Sequence, residues 1–233
     1  MKHRGDHPPD TAPSAHRFPI GHPTPSVIIC FAVPEESQVL RRKRRDLKTL
    51  HTGMGRKNAT QSLSNYLDHH RPQAVISAGF AGGLNPNLET GTVLFQFPQP
   101  LPVKLEGDFE GARAGRFRCS DRIVVTRSEK ALLWEATGHD AVEMESEPIC
   151  QVAASHRIPS LILRVISDSA NDDLPLDFNR LVTRDMRLSL PKLGLTLARH
   201  PTKIPKLIRF HRTIQRAATR LSDAIDWLLP KIP

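Results

Sequence analysis

Apolar residues along this chain fall into short runs of strand length, separated by segments with helical spacing. The run over residues 26–33 (SVIICFAV) is continuous, which is typical of a strand covered on both faces. Further strands are predicted over residues 73–80, 91–97, 122–126, 140–145 and 160–167. No run approaches the roughly 18 consecutive apolar residues that cross a bilayer, so no membrane-spanning helix is predicted.

Helical patterns lie between several of these runs. Pro34, followed by Glu35 and Glu36, is typical of the first turn of a helix. Apolar spacing predicts further helices over residues 58–70, 128–137 and 146–156. Because strands and helices alternate, the sequence predicts an α/β fold with a largely parallel central sheet.

The two ends of the chain differ from this middle part. Residues 1–25 hold six prolines and four of the eleven histidines, and they predict a disordered leader. From residue 180 onward, twelve Lys and Arg against three Asp account for the whole net charge of +9. We therefore predict a leader (1–25), an α/β domain (26–179) and a basic, amphipathic, helical C-terminal extension (180–233).

The extension has two open interpretations. Its apolar positions keep a helical period from residue 205, which suits a helix packed on the domain. Its basic residues also suit a helix lying at an anionic membrane surface. Nucleic acid is not predicted as a partner, because the charge lies on this tail and the basic run at residues 41–46 is interpreted as a solvated helix end.

Cysteine usage bears on the compartment. Cys30, Cys119 and Cys150 are far apart and show no CxxC spacing, so neither a disulfide framework nor a zinc site is predicted. The sequence therefore predicts a reduced, cytoplasmic setting, with no metal and no cofactor.

Candidate chemistry is concentrated in two acidic segments. Glu143 and Glu145 alternate within the apolar stretch AVEMES, where buried carboxylates need partners. The apolar strand LILRVISDSA delivers Ser167 and Asp168 at its end, and Arg164 within that strand needs a carboxylate partner. Glycine-rich turns at residues 52–59 and 77–84 stand at strand–helix junctions, where open α/β sheets bind ligands.

Four stretches together carry a family resemblance: ICFAVPEESQVL, TGMGRKNA, ISAGFAGGLNPNLETGTVL, and AVEMES followed by RVISDSAN. In this order they resemble the nucleoside phosphorylase and nucleosidase superfamily, especially its methylthioadenosine/adenosylhomocysteine nucleosidases. The resemblance implies a phosphorylase-like three-layer α/β/α sandwich with a mixed, largely parallel sheet. It also implies a small-molecule nucleoside substrate and a homo-oligomer, commonly a dimer.

The resemblance also implies roles for individual residues. Asp168 matches the acid that protonates the purine as it leaves, and Arg164 matches the arginine that tunes and orients that acid. Glu36 matches the carboxylate that holds the attacking water, and Glu145 matches the one that grips the ribose hydroxyls, with Met144 packed beneath the sugar. The reaction would then parallel that of an inverting glycosidase. Further residues expected at the substrate are Glu143, Phe80, Ala81, Gly82 and Ser167, whereas Glu147 is interpreted as a helix N-terminal acid.

The choice between water and phosphate depends on one turn. Phosphorylases of this superfamily hold phosphate with an arginine and a serine in an R-x-G-S pattern, and the matching positions here are Ser77 and Phe80. Since an anion site without a cation is hard to build, hydrolysis is favoured. Arg56, beside the first glycine turn, is the candidate phosphate ligand of the alternative, a phosphorylase.

A subgroup resemblance concerns the substrate. The interval over residues 39–51 is too short for the hairpin of the usual adenosine nucleosidases, and the tail is basic. With the change at Phe80, these features resemble hopanoid-associated phosphorylases/nucleosidases, which implies adenine removal from adenosylhopane and peripheral contact with a membrane. A methylthioadenosine/adenosylhomocysteine nucleosidase and an inactive nucleoside-binding protein stay open as alternatives.

Overall fold

The computed structural model describes residues 26–99, 109 and 111–232, so the predicted leader lies outside the described residues. The strands are β1 (Val27–Phe31), β2 (Lys48–His51), β3 (Ala74–Gly83), β4 (Val93–Gln96), β5 (Ala112–Ala114), β6 (Phe117–Cys119), β7 (Ala141–Glu143) and β8 (Ser160–Asp168). The helices are α1 (Pro34–Lys43), α2 (Arg56–Leu67), α3 (Arg127–Thr137), α4 (Ser146–Ser155), α5 (Leu190–Arg199) and α6 (Ile204–Leu228).

The eight strands described here form one mixed sheet in the order β2-β1-β3-β8-β4-β5, with β7 pairing both β3 and β6. Strands β2, β1, β3 and β8 are mutually parallel, whereas β4 is antiparallel to β8 and β7 is antiparallel to β3. The largely parallel, mixed sheet predicted from the sequence is thereby confirmed.

Helices cover both faces of the sheet. On one face, α1 and α6 bury Leu40, Leu221 and Ile225 in the same core cluster as the strands. On the other face, α2 and α4 bury side chains that include Leu63 and Ile149. This is the expected three-layer α/β/α arrangement, and the continuous apolar runs of β1 and β8 are buried because both faces are covered.

Two predicted strands need correction. Residues 122–126 form no strand, because their backbone is bonded by the side chains of Asn179 and Glu129 rather than by a neighbouring strand. The strand predicted over residues 140–145 ends at Glu143. The Glu143 carboxylate accepts the N–H groups of Glu145 and Ser146, which turns the chain into α4.

The C-terminal segment packs on the domain over part of its length, as the first interpretation of its pattern expects. The second half of α6 is buried in the main core, from Ala217 to Leu228. Leucine and isoleucine side chains of α5 and early α6 are exposed instead: Leu190 is 71% exposed, Leu195 53% and Ile208 50%. No helix in the described part of the chain is both long enough and apolar enough to cross a membrane.

Candidate active site

A cavity of about 340 Å³ opens where the carboxyl ends of β1, β3, β7 and β8 meet. The parallel strands β1, β3 and β8 bring their final residues to one edge of the sheet, which is where α/β folds hold ligands, and the antiparallel β7 adds its last residues beside β3. Each of these strands contributes a residue to the cavity. Glu36 follows β1, Glu143 ends β7 and Asp168 ends β8, and Phe80 of β3 donates its N–H to Glu36. The cavity therefore collects carboxylates within a mostly apolar wall.

Glu36 is held by the backbone around it. One carboxylate oxygen accepts the N–H of Phe80 at 2.8 Å, and the other accepts those of Ala32 and Val33 at 2.8 and 3.2 Å. Gly79 makes this approach possible, since a Cβ there would collide with the carboxylate. Burial raises the pKa of Glu36, although the Phe80 N–H opposes the rise. The result is a fixed carboxylate that is more basic than an exposed one.

Glu143 and Glu145 occupy different environments although they are two residues apart. Burial acts to raise the pKa of Glu143, but the charge of Arg164 and the hydroxyl of Ser146 outweigh it and keep that pKa below its usual value. Among the described residues, the hydrogen-bond partner of the Glu145 carboxyl is the N–H of Gly55, at 2.7 Å. Burial, together with the charge of Glu143, raises the pKa of Glu145 to about 8. The Glu145 carboxyl thus keeps its proton near neutral pH and can both donate to and accept from a hydroxyl.

This environment of Glu145 predicts a pH-dependent stability. The unfolded chain gives up the Glu145 proton near pH 4.5, whereas the folded chain holds it to about pH 8. The folded state therefore binds the extra proton in that window, and its stability falls as pH rises. We expect the free energy of unfolding to drop by about 3 kcal/mol between pH 5 and pH 8 on this account.

Urea unfolding at several pH values tests this expectation. Glu145→Gln should remove that part of the pH dependence, because the amide carries no charge at either pH. Glu147→Gln, on a half-exposed side chain in the first turn of α4, is the matched control and should retain it. Equal pH slopes in wild type and Glu145→Gln would contradict the assignment.

Arg164 lies beneath the cavity and does not line it. Its side chain is 2% exposed and donates to the Glu143 carboxylate at 2.7 Å, and to the carbonyl and hydroxyl of Ser77 at 2.6 and 3.0 Å. The carboxylate partner required by the sequence is thus Glu143. Among the described residues the guanidinium makes no hydrogen bond to Asp168, so the role implied for Arg164, to tune and orient that acid, is not supported by a direct contact.

Asp168 is instead paired with Lys130, a residue that the sequence analysis did not single out. The Lys130 ammonium donates to Asp168 Oδ2 at 2.5 Å, and the Ser167 hydroxyl donates to Oδ1 at 2.6 Å. Lys130 is fully buried although it stands in the charged first turns of α3. Only the fold reveals this pair, since 38 residues separate its members.

Most of the other predicted residues line the same cavity, namely Phe80, Ala81, Gly82, Met144 and Ser167. Arg56 does not line it. Its guanidinium is bonded to Asp121 at 2.9 Å and to Glu147 at 2.7 Å, outside the cavity. Two carboxylates already neutralise Arg56, so its position does not favour phosphate binding.

The cavity also has an apolar side that the sequence analysis did not assign. It is built by the segment after β8 and by α6, and its apolar members include Leu174, Phe178, Phe210 and Ile214. The rings of Phe178 and Phe210 contact each other, with centroids 5.9 Å apart. The apolar side of the cavity therefore lies next to the exposed part of α6.

Comparison with known proteins agrees with this geometry. The sequence profile of the phosphorylase superfamily matches residues 110–194. An aminodeoxyfutalosine nucleosidase of Campylobacter jejuni is 26% identical over 63% of this chain and 78% of its own. A 5'-methylthioadenosine/S-adenosylhomocysteine nucleosidase of Geobacillus kaustophilus is 27% identical over 57% of this chain and 71% of its own.

Solved structures show the same fold. The S-adenosylhomocysteine nucleosidase of Streptococcus pyogenes, in complex with 5-methylthiotubericidin, superposes with a TM-score of 0.64 over 91% of this chain and 99% of its own, at 17% identity. The futalosine hydrolase of Helicobacter pylori superposes with a TM-score of 0.63 over 90% and 99%, at 15% identity. The described chain therefore has the architecture of these proteins.

Proposed function

We propose that this chain, whose residues 110–194 match the phosphorylase superfamily and whose relatives include nucleosidases, cleaves the N-glycosidic bond of an adenosine-type nucleoside and uses water as the nucleophile. One observation carries the proposal: three carboxyl groups, those of Glu36, Glu145 and Asp168, come from distant parts of the chain and line one cavity. An inverting hydrolysis of a glycoside needs an acid and a base on opposite sides of the bond, with a grip on the sugar between them.

The reaction assigns one role to each group. Asp168, as the carboxylic acid, gives its proton to the purine while the C1′–N9 bond breaks and the bonding pair leaves with the base. Glu36 accepts a proton from the water whose oxygen bonds to C1′. Its raised pKa makes it a stronger base than an exposed glutamate. Glu145 hydrogen-bonds the ribose hydroxyls, and Met144 packs beneath the sugar.

Water is favoured over phosphate by the cations present. Among the described residues that line the cavity, Arg122 is the cation, and it is bonded to Glu129 at 2.5 Å. A phosphate dianion would meet several carboxyl groups there without a free guanidinium or ammonium group to hold it. Phosphorolysis is therefore the alternative that the assays with and without phosphate distinguish from hydrolysis.

A finer proposal concerns the 5′ substituent. The apolar side formed by Phe178, Phe210 and Ile214 favours a large hydrocarbon group, such as that of a lipid-extended adenosine like adenosylhopane. Adenine release is assayed from adenosine, methylthioadenosine and a lipid-extended adenosine, each with and without phosphate. These assays test both the proposed hydrolysis and the proposed lipid substituent. Release without phosphate supports the hydrolase, and a preference for the extended substrate supports the finer proposal. No release from any of them would overturn both.

The same surface supports peripheral membrane contact. Exposed apolar side chains of α5 and early α6 alternate with exposed cations, which include Lys192, Arg199, Lys203, Lys206, Arg209 and Arg212. Each such cation contributes about 1 kcal/mol near an anionic lipid surface. A cytoplasmic homo-oligomer acting at the inner membrane face completes the proposal.

We expect the full chain to sediment with phosphatidylglycerol vesicles at low salt and to be released at high salt. The double variant Leu190→Ser with Leu195→Ser should bind more weakly, because both leucines are more than half exposed and free to enter the interface. Phosphatidylcholine vesicles are the control. Equal binding to both lipids, or to neither, would contradict membrane contact and leave the nucleosidase proposal standing.

A further inference from the structure

Lys130 carries a buried ammonium group, and all three of its N–H groups donate hydrogen bonds to the end of β8 and the turn that follows it. They reach Asp168 Oδ2 at 2.5 Å, the carbonyl of Ser169 at 2.7 Å and the carbonyl of Asp172 at 2.9 Å. The side chain has no exposed surface, and burying a charge at such a position is costly unless it is paired. A lysine placed this way fixes the turn after β8 and the acid at its start.

Other charged groups line the same cavities as Asp168 without a described hydrogen bond to it. Within the cavity these are Glu36 of α1, Glu143 and Glu145 around the end of β7, and Arg122 of the loop before α3. On the outer side, an adjoining cleft is lined by Asp172, Asp173, Lys206 and Arg209. In the described part of the chain, Lys130 is the charged group in hydrogen-bond contact with the Asp168 carboxylate.

We propose that Lys130 is a positioning residue for the glycosidic cleavage proposed above, on which this inference rests. Its hydrogen bond to Oδ2 fixes the orientation of the Asp168 carboxyl at the cavity. The ammonium also brings a positive charge into hydrogen-bond contact with this carboxyl, so a neutral residue in its place should change the pH dependence of the cleavage step. No proton passes from Lys130 itself, and the proton that reaches the purine is the one on Asp168.

The test is the pH profile of kcat/KM for adenine release in three proteins. The wild-type profile supplies the reference position of its alkaline limb. Lys130→Met should move that alkaline limb upward by about one to three pH units, which is the size of shift that an adjacent opposite charge typically causes. Lys130→Arg keeps the charge and should leave the limb within about half a pH unit of wild type. Where the methionine variant fails to fold, Lys130→Gln is neutral and still donates to the loop carbonyls.

A second substrate separates positioning of the acid from a purely structural role. The leaving group of p-nitrophenyl riboside departs as a stable anion and needs no proton, so the neutral variants should turn it over within about threefold of wild type. Equal losses on both substrates, or an alkaline limb that stays in place in the neutral variants, would overturn the role of Lys130. Absence of adenine release in wild type would instead overturn the proposed function.

Discussion

Replacing Asp168 by asparagine should lower kcat/KM for adenine release by about 100- to 10,000-fold, which is what a general acid contributes. Asparagine has the shape of aspartate and its amide oxygen can still accept from Lys130, so the geometry of the cavity should persist, although the buried Lys130 ammonium loses its charge partner and some stability is lost. The amide has no acidic proton to give, and the purine would have to leave as an anion. Adenine release by the purified variant, measured at saturating and at low nucleoside concentrations, gives kcat and kcat/KM for comparison with wild type.

Asp121→Asn is the matched control for this experiment. It makes the same chemical change on an aspartate that is 85% exposed and pairs with Arg56 outside the cavity. We expect it to keep kcat/KM within about twofold, since exposed ion pairs contribute little. A rate in Asp168→Asn that matches the control would show that another group protonates the base.

Replacing Arg164 by methionine should lower the free energy of unfolding by about 3 to 5 kcal/mol. The guanidinium is the charge partner of Glu143, and both side chains are buried. Methionine fills much of the same volume, but it leaves the Glu143 carboxylate in the protein interior without a cation. Removal of one member of a buried pair is costly for that reason, and urea unfolding measures the loss.

The double variant Arg164→Met with Glu143→Gln separates this charge effect from packing. With both charges gone, we expect at least about 2 kcal/mol of the loss to return, because no unpaired ion remains in the interior. If the double variant is as unstable as the sum of the two single variants, the cost comes from packing and not from the charge of Glu143.

The sequence predicted the buried strands well because their pattern is local. The apolar runs at the centre of the sheet, β1, β3 and β8, are visible without any knowledge of their partners. Strands β2, β5 and β6 have three or four residues each and carry polar or charged side chains, as in KTLH, ARA and FRC. Such segments become strands only through pairing with distant neighbours, which no local pattern reports.

The candidate site was predictable in part for the same reason. The motifs identify Glu36, Glu145 and Asp168, and the topology brings all three to one cavity. The partners of these acids were not predictable from spacing. An arginine in an apolar strand predicts a carboxylate partner, but the sequence does not identify Glu143 as that partner of Arg164. Lys130 lies in a charged helix turn, a pattern that predicts a solvated lysine. Their pairings depend on how α3 and β7 pack beside β8.

Hydrolysis in ¹⁸O-labelled water, without phosphate, tests the central claim most directly. The purified full chain is incubated with methylthioadenosine and with a lipid-extended adenosine, and adenine and the released sugar are measured by mass. The account predicts equimolar adenine and sugar, with one ¹⁸O atom incorporated from water during cleavage and identified by quenching before the free sugar exchanges its oxygen. Adenine release that requires phosphate and yields a sugar 1-phosphate, or no release from either substrate, would contradict it.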